Sequence, residues 1–255
     1  MVLPARALFL ALIAALPANL AYSADFSYYP PGTLLPATSG QGRIDRRIYA
    51  PGIEFPIKLG SADGAFANSQ VYRPGGQASG SQCSLSNYAM PWTDNFCEKR
   101  DWDMPLCPTG KGHQGQDIRP PTCKAGVWES VAVEDGVVAS TNPNTSSVLV
   151  LGRSGTIYQH LHMAPATFAV HPGDQVRAGQ TLGRIANIMN GGPNTTIHLH
   201  FAVQQTVAAG GVARRIFVPP YTSLINAYRQ LKVLPSINSG GQLGVDPMRE
   251  LRPPP

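Results

Sequence analysis

The downstream half of the chain alternates apolar and polar positions over short stretches that are separated by turn residues. Ser147 to Leu151 and Thr156 to Met163 are two such stretches, with Gly152 to Gly155 between them. Because successive side chains point to opposite faces of a strand, this spacing predicts two strands joined as a hairpin. Val131 to Ala139 carries Asp-Gly at its centre and predicts a second hairpin with a tight turn.

A third pair of strands is predicted around Val176 and over Gln180 to Ala186, after the turn residues His171 to Asp174. The chain thus repeats hairpins without a numerical repeat. We expect an all-β fold of antiparallel sheets with local connections.

The sharpest alternation covers residues 197–204, where every second position is apolar and the positions between carry His198 and His200. One face of this strand is predicted to pack on a core, and the other presents both histidines. Surface histidines on an amphipathic strand are the alternative. Tyr158, His160 and His162 share a face by the same rule, which places His160 on a second strand lining the same groove. We interpret His162 as a structural histidine of that groove and leave a substrate contact open.

The N-terminal region lacks this alternation. From Asp25 to about Ser81 the chain is rich in Pro, Gly, Ser and Tyr, which predicts an extended arm. Prolines at 51 and 56 argue against a central strand, so edge pairing or a draped segment is expected there.

An apolar stripe at positions i, i+3, i+4 and i+7 predicts a short amphipathic helix over residues 219–234, with Thr222 or Ser223 as its cap. The stripe consists of Leu224, Ala227, Tyr228 and Leu231. Residues 235–255 are rich in Gly, Ser and Pro, which predicts a flexible tail.

The first 23 residues resemble a secretory signal peptide. Arg6 precedes an apolar run from Ala7 to Ala15, and Ala21-Tyr22-Ser23 offers a small-residue cleavage site before Ala24. An uncleaved membrane anchor is the alternative, but the run is shorter than the roughly 20 residues that span a bilayer. We therefore expect an exported protein, periplasmic or extracellular, without stable membrane insertion after signal cleavage.

Composition supports a loop-rich β protein. Only 14% of the residues are charged, whereas 26 are glycine and 24 are proline. The net charge of +5 is mild and its basic residues are scattered. Since no basic helix or aromatic-interleaved patch is present, we expect no nucleic-acid partner.

Two short motifs carry the candidate chemistry. His113 and Asp117 are four positions apart, and His198 and His200 are two apart, so each pair can share one face of an extended segment. Two imidazoles and a carboxylate with one open position are typical of catalytic zinc, whereas structural zinc usually has four protein ligands. The pattern predicts a hydrolase. For His113 with Asp117, a hydrogen-bonded loop pair is the alternative.

All four cysteines lie in one segment: Cys83, Cys97, Cys107 and Cys123. In an exported protein they predict two disulfides with three possible pairings. We favour Cys83 with Cys97 and Cys107 with Cys123, because the second bridge would close a loop around the His-Asp motif. A zinc-thiolate site is disfavoured, since there is no Cys-x-x-Cys spacing.

Four motifs in order resemble the lysostaphin-like, or LytM-type, zinc endopeptidases: Gly112 to Asp117, Tyr158 to Leu161, Val170 to Gly183 and His198 to Phe201. The resemblance covers roughly residues 110–205. It implies antiparallel β-sheets that form a groove with zinc on its floor.

By motif position, the resemblance implies that His113, Asp117 and His200 bind one Zn²⁺ per chain and that His160 and His198 are the catalytic histidines. It also implies hydrolysis of peptide stems or cross-links of bacterial peptidoglycan by a metal-activated water. A catalytically silent LytM-like regulator of a cell-wall amidase and a protease for glycine-rich proteins are the alternatives. A regulatory protein partner is left open.

The resemblance further makes an asparagine of the arm segment Phe66 to Gln70 a candidate for the open zinc position, with an arm that simply packs on the sheet as the alternative. The predicted organisation is a signal peptide (1–23), an extended arm (24–81), a zinc peptidase domain with a disulfide-bridged loop region (82–218), an amphipathic helix (219–234) and a flexible tail (235–255).

Overall fold

The computed structural model describes residues 26–72, 80–209, 211–233 and 249–252. The predicted signal peptide and most of the predicted tail lie outside these ranges. Within them the strands are β1 (Ser27–Tyr28), β2 (Phe66–Ala67), β3 (Gln116–Arg119), β4 (Glu129–Val131), β5 (Gly136–Asn142), β6 (Ser147–Gly152), β7 (Ile157–Leu161), β8 (Gln175–Val176), β9 (Thr181–Arg184), β10 (Leu199–Ala209), β11 (Val212–Val218) and β12 (Arg249–Glu250). The helix α1 spans Tyr221–Val233, and short 3₁₀ turns cover Ala37–Ser39, Leu85–Tyr88 and Pro165–Thr167.

The main sheet has the order β2-β3-β10-β7-β6-β5-β8, and β11 also pairs with β10. All of these pairings are antiparallel. A second, two-stranded antiparallel sheet joins β4 to β9. The prediction of an all-β antiparallel fold with one short C-terminal helix is therefore confirmed.

The predicted hairpins are only partly correct. β6 and β7 pair as predicted. The hairpin predicted at Asp135-Gly136 is wrong, because β4 pairs with β9 while β5 pairs with β6 and β8. The third predicted pair is also wrong, because β8 pairs with β5 and β9 pairs with β4. Alternation identifies a strand and its faces, but it does not identify the strand's partner.

The apolar face of β10 lies at the centre of the largest core. Leu199, Phe201 and Val203 are fully buried, as their alternation predicts. Around them pack side chains of the arm, of the loop after it and of α1: Phe26, Ile53, Phe55, Trp92, Tyr221, Leu224 and Tyr228. The arm is thus part of the core, and the histidine face of β10 is the opposite side of the sheet.

The arm also extends the sheets at their edges. Ile57 forms a bridge with Ser130, and the Val131 amide donates to the Pro56 carbonyl at 3.0 Å. β2 pairs with β3, with Phe66 opposite Arg119. The arm therefore supplies the strand next to the one that carries Asp117.

α1 buries the predicted stripe, with Leu224, Ala227 and Tyr228 at most 4% exposed. Neither predicted cap acts as one. The Ser223 hydroxyl accepts from the Ala50 amide, and the Thr222 hydroxyl donates to the Asp45 carbonyl. Both residues lie inside the first turn, because the helix begins at Tyr221 directly after Pro220. Their hydroxyls therefore fasten the arm to the helix.

Four residues of the predicted tail are described, and two of them form β12, which pairs in parallel with β1. The Arg46 guanidinium donates to both carboxylate oxygens of Glu250, at 2.7 and 2.9 Å. This part of the tail is thus held by the arm. Among the residues that the structure describes, no helix is long and apolar enough to cross a membrane.

The favoured disulfide pairing is wrong. The bridges join Cys83 to Cys123 and Cys97 to Cys107, so that the second is nested inside the first. The inner bridge closes a short loop beside His113, whose carbonyl accepts from the Cys97 amide at 3.1 Å. The outer bridge ties the segment after the arm to the segment after β3. This pairing depends on contacts between distant parts of the chain, which cysteine spacing does not report.

Candidate metal centre

Sheet pairing brings three predicted ligands together. Asp117 on β3 is the register partner of His200 on β10, and His200 Nδ1 lies 3.0 Å from Asp117 Oδ1. His113 lies just before β3, with its Nε2 2.9 Å from His200 Nδ1 and 3.3 Å from Asp117 Oδ1. All three side chains are buried, and their arrangement can hold a metal ion.

The three atoms fit a zinc ion. Zinc–ligand bonds of about 2.0–2.1 Å in a tetrahedral site place ligand atoms roughly 3.3 Å apart, close to the separations observed here. His113 Nδ1 donates to the Asn95 carbonyl at 3.0 Å, so its Nε2 presents a lone pair to the site. Two imidazole nitrogens and one carboxylate oxygen leave one coordination position open.

Asn95 orients two of these ligands and was not identified from the sequence. Its Nδ2 donates to Asp117 Oδ2 at 2.8 Å, and its Oδ1 accepts from the Asp117 amide at 3.1 Å. One carboxylate oxygen is thereby occupied, which leaves Oδ1 for a metal. Nothing in the spacing of Asn95 links it to His113 or Asp117, because only the folded loop places it beside them.

Gly115 allows the motif to approach β10. A Cβ at this position would lie 2.4 Å from the Phe201 carbonyl oxygen and 3.0 Å from His200 Nε2. Any side chain there would displace the strand or the His200 ring. The glycine between His113 and Asp117 is therefore needed for close contact.

The electrostatics of the site favour the ligand forms of Asp117 and His200. Burial raises the pKa of Asp117, but His113 and His198 outweigh this effect and hold it well below its usual value. Burial lowers the pKa of His200 to about 4. Burial also lowers the pKa of His113, but the Asp117 carboxylate raises it by more. Asp117 is thus anionic and His200 neutral near pH 7, as metal ligands must be.

His198 lies beside this trio on the same face of the sheet. Its Nε2 is 3.4 Å from Asp117 Oδ1. Its Nδ1 is 2.9 Å from the Thr196 carbonyl oxygen and 3.2 Å from the Thr196 hydroxyl. The carbonyl can only accept, so His198 Nδ1 carries a proton and donates to it.

The prediction that His160 lines the groove is wrong. His160 is the register partner of Phe201, and the two ring centroids are 5.2 Å apart on the core face of the sheet. Its Nδ1 contacts the Ser130 hydroxyl at 2.9 Å, whereas Nε2 has no hydrogen-bond partner within the described residues. Burial lowers the pKa of His160 to about 3. His160 is thus a neutral core histidine.

His162 occupies the place predicted for His160. Its ring centroid is 4.6 Å from that of His198 and 6.1 Å from that of His200, and its Nδ1 lies 3.0 Å from the Ile188 carbonyl oxygen. Burial, aided by His198 and His200, lowers the pKa of His162 to about 3. Strand alternation ends with β7 at Leu161, and His162 has a φ of 65°. The left-handed backbone at His162 explains how His160 and His162, although two positions apart, reach opposite faces of the sheet.

The asparagine of the arm does not reach the metal trio. Asn68 Oδ1 accepts from Arg119 Nε at 3.2 Å, and Asn68 Nδ2 donates to the Asn87 carbonyl at 2.9 Å. Both ends of its amide are therefore engaged elsewhere. The structure has the arm packed on the sheet, which is the alternative stated above.

The site is only slightly exposed to solvent. His113, His162 and His200 are 7, 8 and 7% exposed, whereas Asp117 and His198 are each 2% exposed. A substrate would therefore approach across the three more exposed histidines.

Comparisons with known proteins agree with the motifs. Residues 111–211 match the model of Peptidase family M23. Among solved structures, a candidate glycyl-glycine endopeptidase LytM from Ruminococcus gnavus is 20% identical, with a TM-score of 0.44, and the match covers 70% of this chain and 61% of that one. The catalytic domain of lysostaphin from Staphylococcus simulans is 21% identical, with a TM-score of 0.34 and coverage of 51% and 90%. A zinc-containing peptidase from Vibrio cholerae is 22% identical, with a TM-score of 0.31 and coverage of 48% and 34%. No match was found among curated proteins.

Proposed function

We propose that this chain, whose residues 111–211 belong to peptidase family M23, is an exported zinc endopeptidase that hydrolyses peptide stems or cross-links of peptidoglycan. The observation that carries the proposal is the convergence of His113, Asp117 and His200 on one point, with His198 and His162 beside them. A complete ligand set adjacent to two further histidines is the arrangement that metal-assisted hydrolysis needs.

In the proposed reaction, His113, Asp117 and His200 hold the ion. A bound zinc ion would supply Lewis-acid activation of water and of the scissile carbonyl. Asn95 keeps the Asp117 carboxylate and the His113 ring in their binding orientations.

His162 and His198 are proposed to move the protons. Each has its Nδ1 beside a backbone carbonyl, of Ile188 and Thr196 respectively, so that the neutral form of each ring presents an unprotonated Nε2. One such nitrogen can accept a proton from the attacking water, and the imidazolium so formed can then donate that proton to the leaving amine. Removal of a positioned acid or base typically costs about 10²–10⁴-fold in rate.

The low exposure of the site supports a substrate with small side chains. Because the metal trio is at most 7% exposed, an extended strand of glycine or D-alanine type would fit more readily than a bulky one. Peptidoglycan peptides have this character. The signal-like sequence at residues 1–23 supports a periplasmic or extracellular site of action.

The proposal is tested by incubating the zinc-loaded full chain with purified sacculi and identifying the released muropeptides by mass spectrometry. We expect fragments with newly exposed peptide termini, lost on chelation and restored by zinc. The variant Asp117→Ala serves as the control that lacks one ligand. A glycine-rich protein in a parallel reaction distinguishes a protease of wider range.

Zinc binding without release of fragments from either substrate would contradict the proposal and would favour the silent regulator. Cleavage of the glycine-rich protein alone would instead favour the alternative of a protease for glycine-rich proteins.

A further inference from the structure

A chain of buried side chains connects the N-terminal arm to His198. Gln70 is 2% exposed and Thr196 is 5% exposed. The Thr196 hydroxyl donates to Gln70 Oε1 and lies 3.2 Å from His198 Nδ1. The arm thus reaches a proposed catalytic histidine through a single intermediate residue.

The contacts fix the direction of each hydrogen bond. Gln70 Nε2 donates to the carbonyl and to Oδ1 of Asn68, at 3.2 and 3.3 Å, so that Gln70 Oε1 faces Thr196. A threonine hydroxyl carries one hydrogen, and Thr196 uses it to donate a hydrogen bond to Gln70 Oε1. The hydroxyl therefore turns a lone pair towards His198 Nδ1 and joins the Thr196 carbonyl as an acceptor of its proton.

The relay is anchored in the sheet that carries the metal ligands. Asn68 Oδ1 accepts from Arg119 Nε at 3.2 Å, and Arg119 Nη1 donates to the Gln82 carbonyl at 3.0 Å. Arg119 is fully buried two positions after Asp117 on β3. Through its Nε, the Arg119 guanidinium thus ties Asn68 of the arm to β3.

Without Gln70 the Thr196 hydroxyl could rotate and present its hydrogen to His198 Nδ1. That arrangement favours the tautomer with the proton on Nε2, which cannot accept a proton from water. The Thr196 carbonyl would still oppose this change, so the loss should be partial.

We propose that Gln70 is a positioning residue that acts through Thr196 to fix the tautomer and orientation of His198. The arm is then a working part of the active site and does not have to leave for catalysis. This inference rests on the proposed function, because it assigns His198 a proton-transfer role.

The test compares steady-state hydrolysis of a soluble muropeptide by zinc-loaded full chains. Gln70→Met removes the acceptor and Thr196→Val removes the hydroxyl, both with little change in side-chain size. Each should lower kcat about 10-fold, with KM and zinc content unchanged, as expected for loss of an outer partner of a working histidine. The double variant should be no slower than the slower single variant, because both changes break one relay.

Two control variants separate positioning from packing. Thr196→Ser keeps the hydroxyl and should retain a rate near that of the wild type. Tyr72→Phe removes another arm hydrogen bond, to the Lys99 carbonyl, and should leave kcat unchanged. The ¹⁵N shifts of the His198 imidazole report its tautomer independently of activity, and they should change in Gln70→Met.

The inference is overturned if Gln70→Met and Thr196→Val match the wild type in kcat or hydrolyse faster. It is also overturned if their losses multiply in the double variant or arise from lost zinc. A wild type that releases no fragment overturns the proposed function itself, and the inference falls with it. Variants that are as active as an active wild type overturn the inference alone.

Discussion

His200 Nδ1 lies 3.0 Å from Asp117 Oδ1, and the two residues are register partners on β10 and β3 although 83 positions separate them in the chain. The metal centre is therefore a product of strand register. Since side chains alternate between faces, a slip of one residue would bring the core residue Ile118 to the position of Asp117. The tight core around Leu199 and Phe201 protects the site against such a slip.

Removal of the metal should destabilise the protein. A ligand present at 100 times its dissociation constant stabilises the folded state by about 2.7 kcal/mol, so chelation should lower the melting temperature and added zinc should restore it. His200→Ala should abolish both responses and the bound zinc.

His171→Ala is the matched control, because His171 is an exposed histidine in a turn outside the metal centre. Zinc content by atomic spectroscopy and thermal unfolding measure the two effects. An unchanged zinc content in His200→Ala would refute the ligand assignment.

The two histidines near the end of β7 should respond differently to the same substitution. An asparagine side chain can place its amide near the position of the histidine Nδ1, but it has no group at the position of Nε2. His162→Asn should therefore reduce kcat by about 10²–10⁴-fold, the usual contribution of a positioned acid or base. His160→Asn should leave kcat close to that of the wild type and lower the free energy of unfolding, because it leaves space beside Phe201.

Steady-state kinetics and urea unfolding of both variants test this pair. A larger loss of kcat in His160→Asn than in His162→Asn would restore the sequence-based assignment.

The nested disulfides should contribute unequally to stability. Loop-closure entropy predicts about 4 kcal/mol for the Cys83–Cys123 bridge, which spans 40 positions, and about 3 kcal/mol for Cys97–Cys107, which spans 10. Paired Cys→Ser variants should lose these amounts in denaturant unfolding.

Non-reducing peptide mapping checks the connectivity directly. A peptide linking Cys83 to Cys97 would contradict the structure.

Asp94 should make stability fall with rising pH. Burial raises its pKa to about 6 from a usual value of 3.8, although it accepts from the Gly32 and Phe96 amides. The folded state therefore binds this proton more tightly than the unfolded state does. Its contribution is fully present below about pH 4 and is lost as the pH rises through about 6, a change of about 3 kcal/mol.

Asp94→Asn removes the titration, so the unfolding free energy of the wild type relative to this variant should decrease between pH 4 and pH 7. Urea unfolding at each pH measures the difference. A difference that does not vary with pH would disprove the elevated pKa of Asp94.

The sequence was most informative where one motif lies within one strand. Alternation over residues 197–204 correctly separated the core-packed face of β10, with Leu199, Phe201 and Val203, from the face that carries its histidines. The ordered motifs also brought His113 and Asp117 to His200. Alternation depends on local geometry, which the amino-acid pattern records directly, whereas the ligand set followed from the ordered motifs of the family that the chain resembles.

The errors arose where the backbone departs from regular geometry or where contacts are distant. Because His160 and His162 are two positions apart, strand alternation assigned them to one face. However, β7 ends between them and His162 adopts a left-handed backbone. Asn95 and Gln70 lie beside the site only because their loops fold onto the sheet, and no spacing rule connects them to His113 or His198.

β10 comes late in the chain, yet it is the strand that joins β3 to β7. A nascent polypeptide therefore exposes His113 and Asp117 well before His200 has been synthesised. During that interval it has no assembled place for an ion and no hydrolytic capacity of the proposed kind. The metal centre therefore cannot assemble until β10 has been made and has paired with β3.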